Sequence, residues 1–187
     1  MGCIRKKILI AETQKGLLFK EQQFIKILPA GVHKFWDWLH KYQVQIVIVI
    51  NTLQEDVSKD ILHLAQLHPE AFAEVLIEWE TGEQEVGLVY QKNVLKDIKA
   101  PGQRGAYWKN HQEIRVEKQD ISQDFTLPKK LAALLANVKD DLLRRAATTA
   151  IIMATVPENH FGFLNVDGET VSTLPTGTHV WWRFNRN

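Results

Sequence analysis

The sequence predicts a β-rich α+β chain made of three repeated β-hairpin units joined by strand-helix-strand linkers. Three observations carry that expectation. A Glu (Glu12, Glu83, Glu158) stands four residues before a Gly (Gly16, Gly87, Gly162), and a second Gly (Gly31, Gly102, Gly177) follows fifteen residues later, without gaps in any copy. A large aromatic residue lies five positions further on, as Trp36, Tyr107 and Trp182, with Trp108 and Trp181 beside the latter two. In a chain with ten glycines one such Gly pair is chance, whereas three pairs with matching Glu and aromatic positions are a repeat. Finally, the segments between the units switch from alternating or β-branched runs to helical spacing and back. The expected blocks are residues 1–80, 81–156 and 157–187.

Taken in order, "IRKKILIAE" reads as a first strand with a basic start. In each unit two apolar residues follow the first Gly (Leu17 and Leu18, Leu88 and Val89, Phe163 and Leu164), as a strand facing a core requires. The midpoints are hairpin tips: Glu21-Gln22, Lys92-Asn93 and Asp167-Gly168. Asn and Gly tolerate the positive φ of tight turns, so the third tip has the best turn chemistry and the first the poorest. The first Gly of each unit predicts a bulge or a close backbone approach. The second closes a Pro turn. Pro29 and Pro175 stand two before their Gly, as in a type I turn, while Pro101 directly precedes Gly102, as in a type II turn with positive φ at the Gly.

After the first unit, "YQVQIVIVI" reads as a buried strand inside a sheet. "SKDILHLAQLHPEAFAEV" has helical spacing, with Ser58 as the expected cap and Pro69 opening a second short turn. "LIEWE" returns to strand. After the second unit, "NHQEIRVEKQDI" alternates like a half-exposed strand. Pro128 then opens one continuous helix, "PKKLAALLANVKDDLLRRAA", and "TTAIIMATV" closes the segment as a strand.

Composition narrows the function. A formal net charge of +1 offers no clustered basic stripe for phosphates, so nucleic acid is not an expected partner. The single Cys3 leaves no internal disulfide and suits a reducing compartment. Ile46 to Ile50, the longest strongly apolar run, is far short of the roughly 18–20 residues that span a bilayer. "MGCIRKK" sets Gly2 and Cys3 before three basic residues, the layout of a myristoyl and palmitoyl anchor, but Lys6 stands where that motif has Ser or Thr. The bland reading is the basic start of a strand.

Chemistry-bearing motifs are few. His63 and His68 are five apart and do not share a helix face as metal ligands would. His33 and His179 each follow the turn Gly by two residues, with Arg104 in the second unit, which points to a polar turn-flanking role rather than coordination. Asp140 and Asp141 with Arg144 and Arg145 read as helix ion pairs on a solvated face. No nucleophile elbow, phosphate loop or Cys-His pair occurs. No enzyme, metal or cofactor is implied. Trp36, Trp38, Trp108, Trp181 and Trp182 are either an interaction surface or the packing at each hairpin's base.

"VPENHFGFLNVDGETVSTLPTGTHVWWRFNR" resembles the start of an SPFH (stomatin, prohibitin, flotillin; band 7) domain. With "GLLFK", "HPE", "EVGLVYQKNVL", "APG" and "YWK...IRVE", the whole chain resembles the long N-terminal region that precedes that domain in bacterial slipins. The resemblance covers nearly all 187 residues. It implies a non-enzymatic, membrane-associated scaffold that assembles into large rings and organises membrane proteins or membrane-bound proteases. Implied partners are such proteins, a further copy of itself and the membrane surface, at a cytoplasmic location on the inner face of the membrane. The body of the SPFH domain and its helical oligomerisation region have no counterpart here, so the expectation is a piece cut from a longer scaffold. The alternative is a stand-alone ligand-binding or catalytic domain with a Trp-lined pocket at a repeat interface.

Overall fold

The computed structural model describes residues 5–37, 39–49, 53, 56–109 and 113–184. Among them lie fourteen strands and four helices, a β-rich α+β fold. The chain begins with β1 (Arg5–Ile10), β2 (Gln14–Lys20), β3 (Gln23–Leu28), β4 (Gly31–Trp36) and β5 (Tyr42–Ile48), then α1 (Lys59–Leu67) and α2 (Pro69–Phe72). It continues with β6 (Leu76–Glu80), β7 (Glu85–Gln91), β8 (Val94–Lys99), β9 (Arg104–Trp108), β10 (Ile114–Asp120), α3 (Lys129–Ala136) and α4 (Asp141–Ala150). The last strands are β11 (Ile151–Val156), β12 (Gly162–Val166), β13 (Glu169–Leu174) and β14 (Gly177–Trp182).

Hairpins form at all three expected sites, as β2–β3, β7–β8 and β12–β13. Both tip residues have positive φ in each: 49° and 69° at Glu21 and Gln22, 49° and 63° at Lys92 and Asn93, 53° and 86° at Asp167 and Gly168. That is the type I′ geometry whose twist matches the flanking strands. The register shifts by one at Leu18/Phe19, Val89/Tyr90 and Leu164/Asn165. The bulge therefore lies past Gly16, Gly87 and Gly162, and those glycines answer to close approach instead. A Cβ on Gly16 would meet the Ile10 side chain at 2.6 Å, on Gly87 Thr81 at 3.1 Å and on Gly162 Val156 at 3.3 Å.

Each hairpin is flanked by a two-stranded ribbon formed by the strands before and after it: β1–β4, β6–β9 and β11–β14. Ile10 faces Gly31 and Val156 faces Gly177. In the middle ribbon the Thr81 amide bonds the Gln103 carbonyl at 2.8 Å and the Lys109 amide the Val75 carbonyl at 2.7 Å, so Gln103, not Gly102, stands opposite Thr81. The displaced Pro101 is the sequence trace of that one-residue shift. It makes Trp108, rather than Tyr107, the counterpart of Trp36 and Trp182, and Gly105, rather than Arg104, the counterpart of His33 and His179. Gly102 has φ of +66°. Gly102→Val is accordingly expected to cost about 1–2 kcal/mol, the price of forcing a β-branched residue into the left-handed region; a melting temperature equal to that of the parent would contradict the turn.

The chain divides into two compact units, Met1–Ile77 with Ala106–Gln112, and Glu78–Gly105 with Glu113–Asn187, where the sequence predicts three blocks. In the first unit β2 lies between β3 and β5. Successive strand residues point to opposite faces. Leu17 joins Val57, Ile61, Ala65, Phe72, Leu76, Ala106 and Trp108, while Leu18 joins Ile10 and Leu28, so both faces are covered. In the second unit β7 lies between β8 and β10. Leu88, Leu95 and Ile98 pack with Leu135, Leu143, Ala147, Val180 and Trp182. Val180 and Trp182, from the last strand, belong to that core.

Five local expectations are corrected. β5 is an edge strand with Ile46 and Ile48 exposed, not a buried one, because nothing pairs with its outer side among the described residues. Ser58 sits at the N-cap of α1 without a side-chain cap bond. The helix after Pro128 is two helices. Asn137 caps α3, and the Asp140 carboxylate accepts the amides of Leu142 and Leu143 to start α4. Local side-chain bonding of this kind competes with helix continuation. Asp140 also takes Lys96 Nζ at 2.7 Å. That hydrogen bond, followed by the Leu143 amide, holds its carboxyl below the usual carboxylate range. Asp140 is thus a cap rather than a solvated pair with Arg144, whose partner is Asp141. Thr148 and Thr149 belong to α4 instead of the strand that follows.

Candidate interaction face

The β1–β4 ribbon presents the most unusual surface. Its register pairs Arg5 with Trp36, Lys7 with Lys34 and Leu9 with Val32. Strand alternation puts these six on one side, and all are exposed. The other side carries Lys6, Ile8 and Phe35, which turn inward: Lys6 Nζ donates to the Tyr42 carbonyl at 2.8 Å and lies 3.9 Å from buried Asp37, whose Oδ1 accepts the Lys41 amide. The outer face therefore holds three cations, two aliphatic residues and a tryptophan, with no acidic residue on either strand.

Its energetics are unfavourable as it stands. Like charges directly opposite across an antiparallel pair destabilise it. Lys7 and Lys34 are such a pair, and neither has an ion-pair partner among the described residues. The Arg5 guanidinium lies 5.5 Å above the Trp36 ring, a cation–π contact that orders both groups at the surface. Trp36 remains 57% exposed, although its counterparts Trp108 and Trp182 are 6% and 1% exposed. An acidic, partly apolar partner surface would relieve the lysine repulsion and bury the indole.

The other singled-out residues are placed as follows. Trp108 and Trp182 are core residues, and Trp181 is buried with the His179 ring stacked on it at 5.8 Å, so none of the three offers a free face. Trp38, Gly2 and Cys3 lie outside the described residues. His33 and His179 each bond the carbonyl of their turn proline, Pro29 and Pro175, at 2.8 Å, which is the turn-flanking role expected of them. His68 stacks obliquely on Phe24 at 4.9 Å. The first unit also has a shallow cleft of about 290 Å³ lined by Phe19, Gln22, Gln43, Val44 and Gln45, with no tryptophan in it. Among the described residues no three His, Cys, Asp or Glu side chains converge as metal ligands, and no helix is long and apolar enough to cross a membrane.

Sequence reasoning took Arg5 and Lys7 as the basic patch of a lipid anchor or the basic start of a strand, and missed Leu9, Val32 and Lys34. The available signal was the alternation of cations in "IRKKILI" and "GVHKFW"; what it could not supply was the pairing of two strands separated by the first hairpin. No protein-family model, curated protein or solved structure matches this chain.

Proposed function

We propose that this chain is a non-enzymatic interaction module, the N-terminal part of a slipin-like, membrane-associated SPFH scaffold, and that the β1–β4 face is its docking surface. The three hairpin units are read as copies of one module. Equivalent bulges, type I′ tips and residues packed under the first Gly in all three, with His–Pro contacts in the first and third, support that reading.

The observation that carries the functional reading is the difference between equivalent ribbon faces. Lys34 and Trp36 correspond to Ala106 and Trp108, which pack with Leu17 of the first hairpin, and to Val180 and Trp182, which pack with Leu88 of the second. The first and second hairpins are thus each closed by the ribbon that follows. No described residue covers the outer face of the first ribbon. That face keeps Leu9, Val32 and Trp36 exposed between its cations, a composition that suits recognition.

Photocrosslinking tests this. A benzophenone amino acid at position 36, in the cells that make the protein, is expected to give covalent adducts that sediment with membranes, and Lys7→Glu with Lys34→Glu is expected to abolish them. Trp36→Ser should change stability by no more than about 0.5 kcal/mol, as for a surface residue. Absence of any adduct, or a Trp36→Ser loss of core size, would refute the docking role.

A further inference from the structure

The outer edge of β5 differs from that of β10, its counterpart beside the second hairpin. β5 pairs with β2 so that Ile46 faces Gly16, and β10 pairs with β7 so that Lys118 faces Gly87. Tyr42, Val44, Ile46 and Ile48 therefore match Ile114, Val116, Lys118 and Asp120. The Glu21 amide bonds the Lys41 carbonyl and the Val49 amide the Thr13 carbonyl, both at 2.9 Å. In an antiparallel ladder that alternation makes the odd-numbered residues of β5 bond β2 and turns the backbone groups of the even-numbered ones outward. The Tyr42 carbonyl is taken by Lys6 Nζ at 2.8 Å. The outward amides and carbonyls of Val44, Ile46 and Ile48 have no hydrogen-bond partner among the described residues.

Side chains set the two edges apart. Proteins protect exposed edge strands with charges, proline or bulges, because an open edge is a template for another strand. β10 carries Arg115, Glu117, Lys118 and Asp120, whereas β5 has no charged residue and no proline. Ile46 and Ile48 are 40% and 69% exposed at the positions where β10 has Lys118 and Asp120. Strand alternation puts Gln43 and Gln45 on the opposite face of the sheet. There, with Phe19 and Gln22, they line the cleft of about 290 Å³ that reaches Val44.

We propose that β5 receives an added strand from a different protein: an uncharged, extended segment that pairs with the edge from Val44 to Ile48. Its aliphatic side chains lie beside Ile46 and Ile48, and its alternate, polar ones enter the cleft beside Gln43 and Gln45. Main-chain bonds supply affinity and the alternation supplies selectivity, as in other strand-addition complexes. Three outward-facing residues form an edge much smaller than the roughly 1,200 Å² or more that stable contacts between folded partners bury, which favours a flexible segment over a second folded copy. The inference does not rest on the docking reading of the β1–β4 face.

A fluorescein-labelled synthetic peptide of alternating valine and threonine, titrated into the full chain and followed by anisotropy, is the test. Saturable binding is expected. Peptides N-methylated at every second residue should separate by phase: one phase loses binding and the other keeps it, since only one set of amides faces β5. Hydrogen exchange of the Ile46 and Ile48 amides should slow when the peptide binds. Ile46→Pro removes an outward amide and no bond to β2, a place where an edge strand accommodates proline. It is expected to leave the circular dichroism spectrum unchanged and to weaken binding roughly tenfold or more, because a peptide carbonyl is left unpaired. Ile46→Lys with Ile48→Asp writes the charges of β10 into β5 and should abolish binding in a folded chain. Lys7→Glu with Lys34→Glu should leave peptide binding unchanged, which separates this site from the β1–β4 face. Absence of binding, equal effects of the two methylation phases, full binding by Ile46→Lys with Ile48→Asp, or a dimer of the free chain that this double variant dissolves would each overturn the proposal.

Discussion

Trp182→Ala is expected to destabilise the second unit by about 3–5 kcal/mol, the range for deleting a large buried aromatic side chain. The indole is 1% exposed and lies in one cluster with Val86, Leu88, Leu95, Ile98, Leu143 and Ala147. Three segments meet on it: the hairpin β7–β8, the helix α4 and its own ribbon. Its backbone amide also bonds the Phe125 carbonyl at 2.8 Å, so the residue is held while its surroundings are fixed elements with little freedom to collapse into the space. The indole nitrogen has no hydrogen-bond partner among the described residues. A buried donor left unpaired costs free energy, so Trp182→Phe, which removes the donor while retaining a ring, should cost clearly less than the alanine. Urea titration monitored by circular dichroism checks both. An alanine variant within about 1 kcal/mol of the parent would place Trp182 outside the core, contrary to the range for buried aromatics.

Gly105→Val is expected to cost about 3 kcal/mol, at the upper end of ordinary overpacking. A Cβ at this position would stand 2.6 Å from Cζ2 and 2.8 Å from Cε2 of Trp79, across the β6–β9 pair. Those are atoms of a rigid ring, not the tip of a flexible chain. Trp79 is itself buried, with Lys99 Nζ 5.0 Å over the ring, so retreat would disturb a second contact. The glycine and the tryptophan form one fitted pair: His33 and His179 fill the equivalent place in the other ribbons. A double-mutant cycle tests the pairing. Gly105→Val should be much less costly in a Trp79→Leu background, with a coupling of about 1–3 kcal/mol, as expected for residues in direct contact. Strict additivity would rule out the steric explanation.

Much of the local architecture was legible because it is decided within a few residues. Pro-containing turns, alternating runs and hairpin tips depend on backbone dihedrals and on which side chains tolerate them, and all three tips are type I′ even where Glu21-Gln22 has no Gly or Asn at either position. The helix break at Asn137 was missed for a reason that is also local but balanced: leucine periodicity runs on through Leu142, while the Asp140 carboxylate rewards a fresh start. The role of Gly16, Gly87 and Gly162 was half legible. Close approach was one of two readings, and the choice between them needed the position of Ile10, Thr81 and Val156.

The candidate site was less legible because equivalent sequence positions have unlike surroundings. Trp36, Trp108 and Trp182 occupy the same place in their ribbons, and so do Leu17, Leu88 and Phe163 in their hairpins. Burial of each depends on which hairpin, helix or ribbon packs over it, and that is a long-range matter. Even the alignment of the middle copy needed the Thr81–Gln103 bond, because the conspicuous Gly102 is one residue away from the structural counterpart of Gly31.

The amino-acid order is enough to specify strands, turns and the charge alternation on the first and fourth strands, since each rests on near-neighbour sterics, turn chemistry and side-chain period. Which hairpins and ribbons are covered came from packing between distant segments. The hydrophobic gain is collected by the inner faces around Trp108 and Trp182, leaving Trp36 and Phe163 exposed to water.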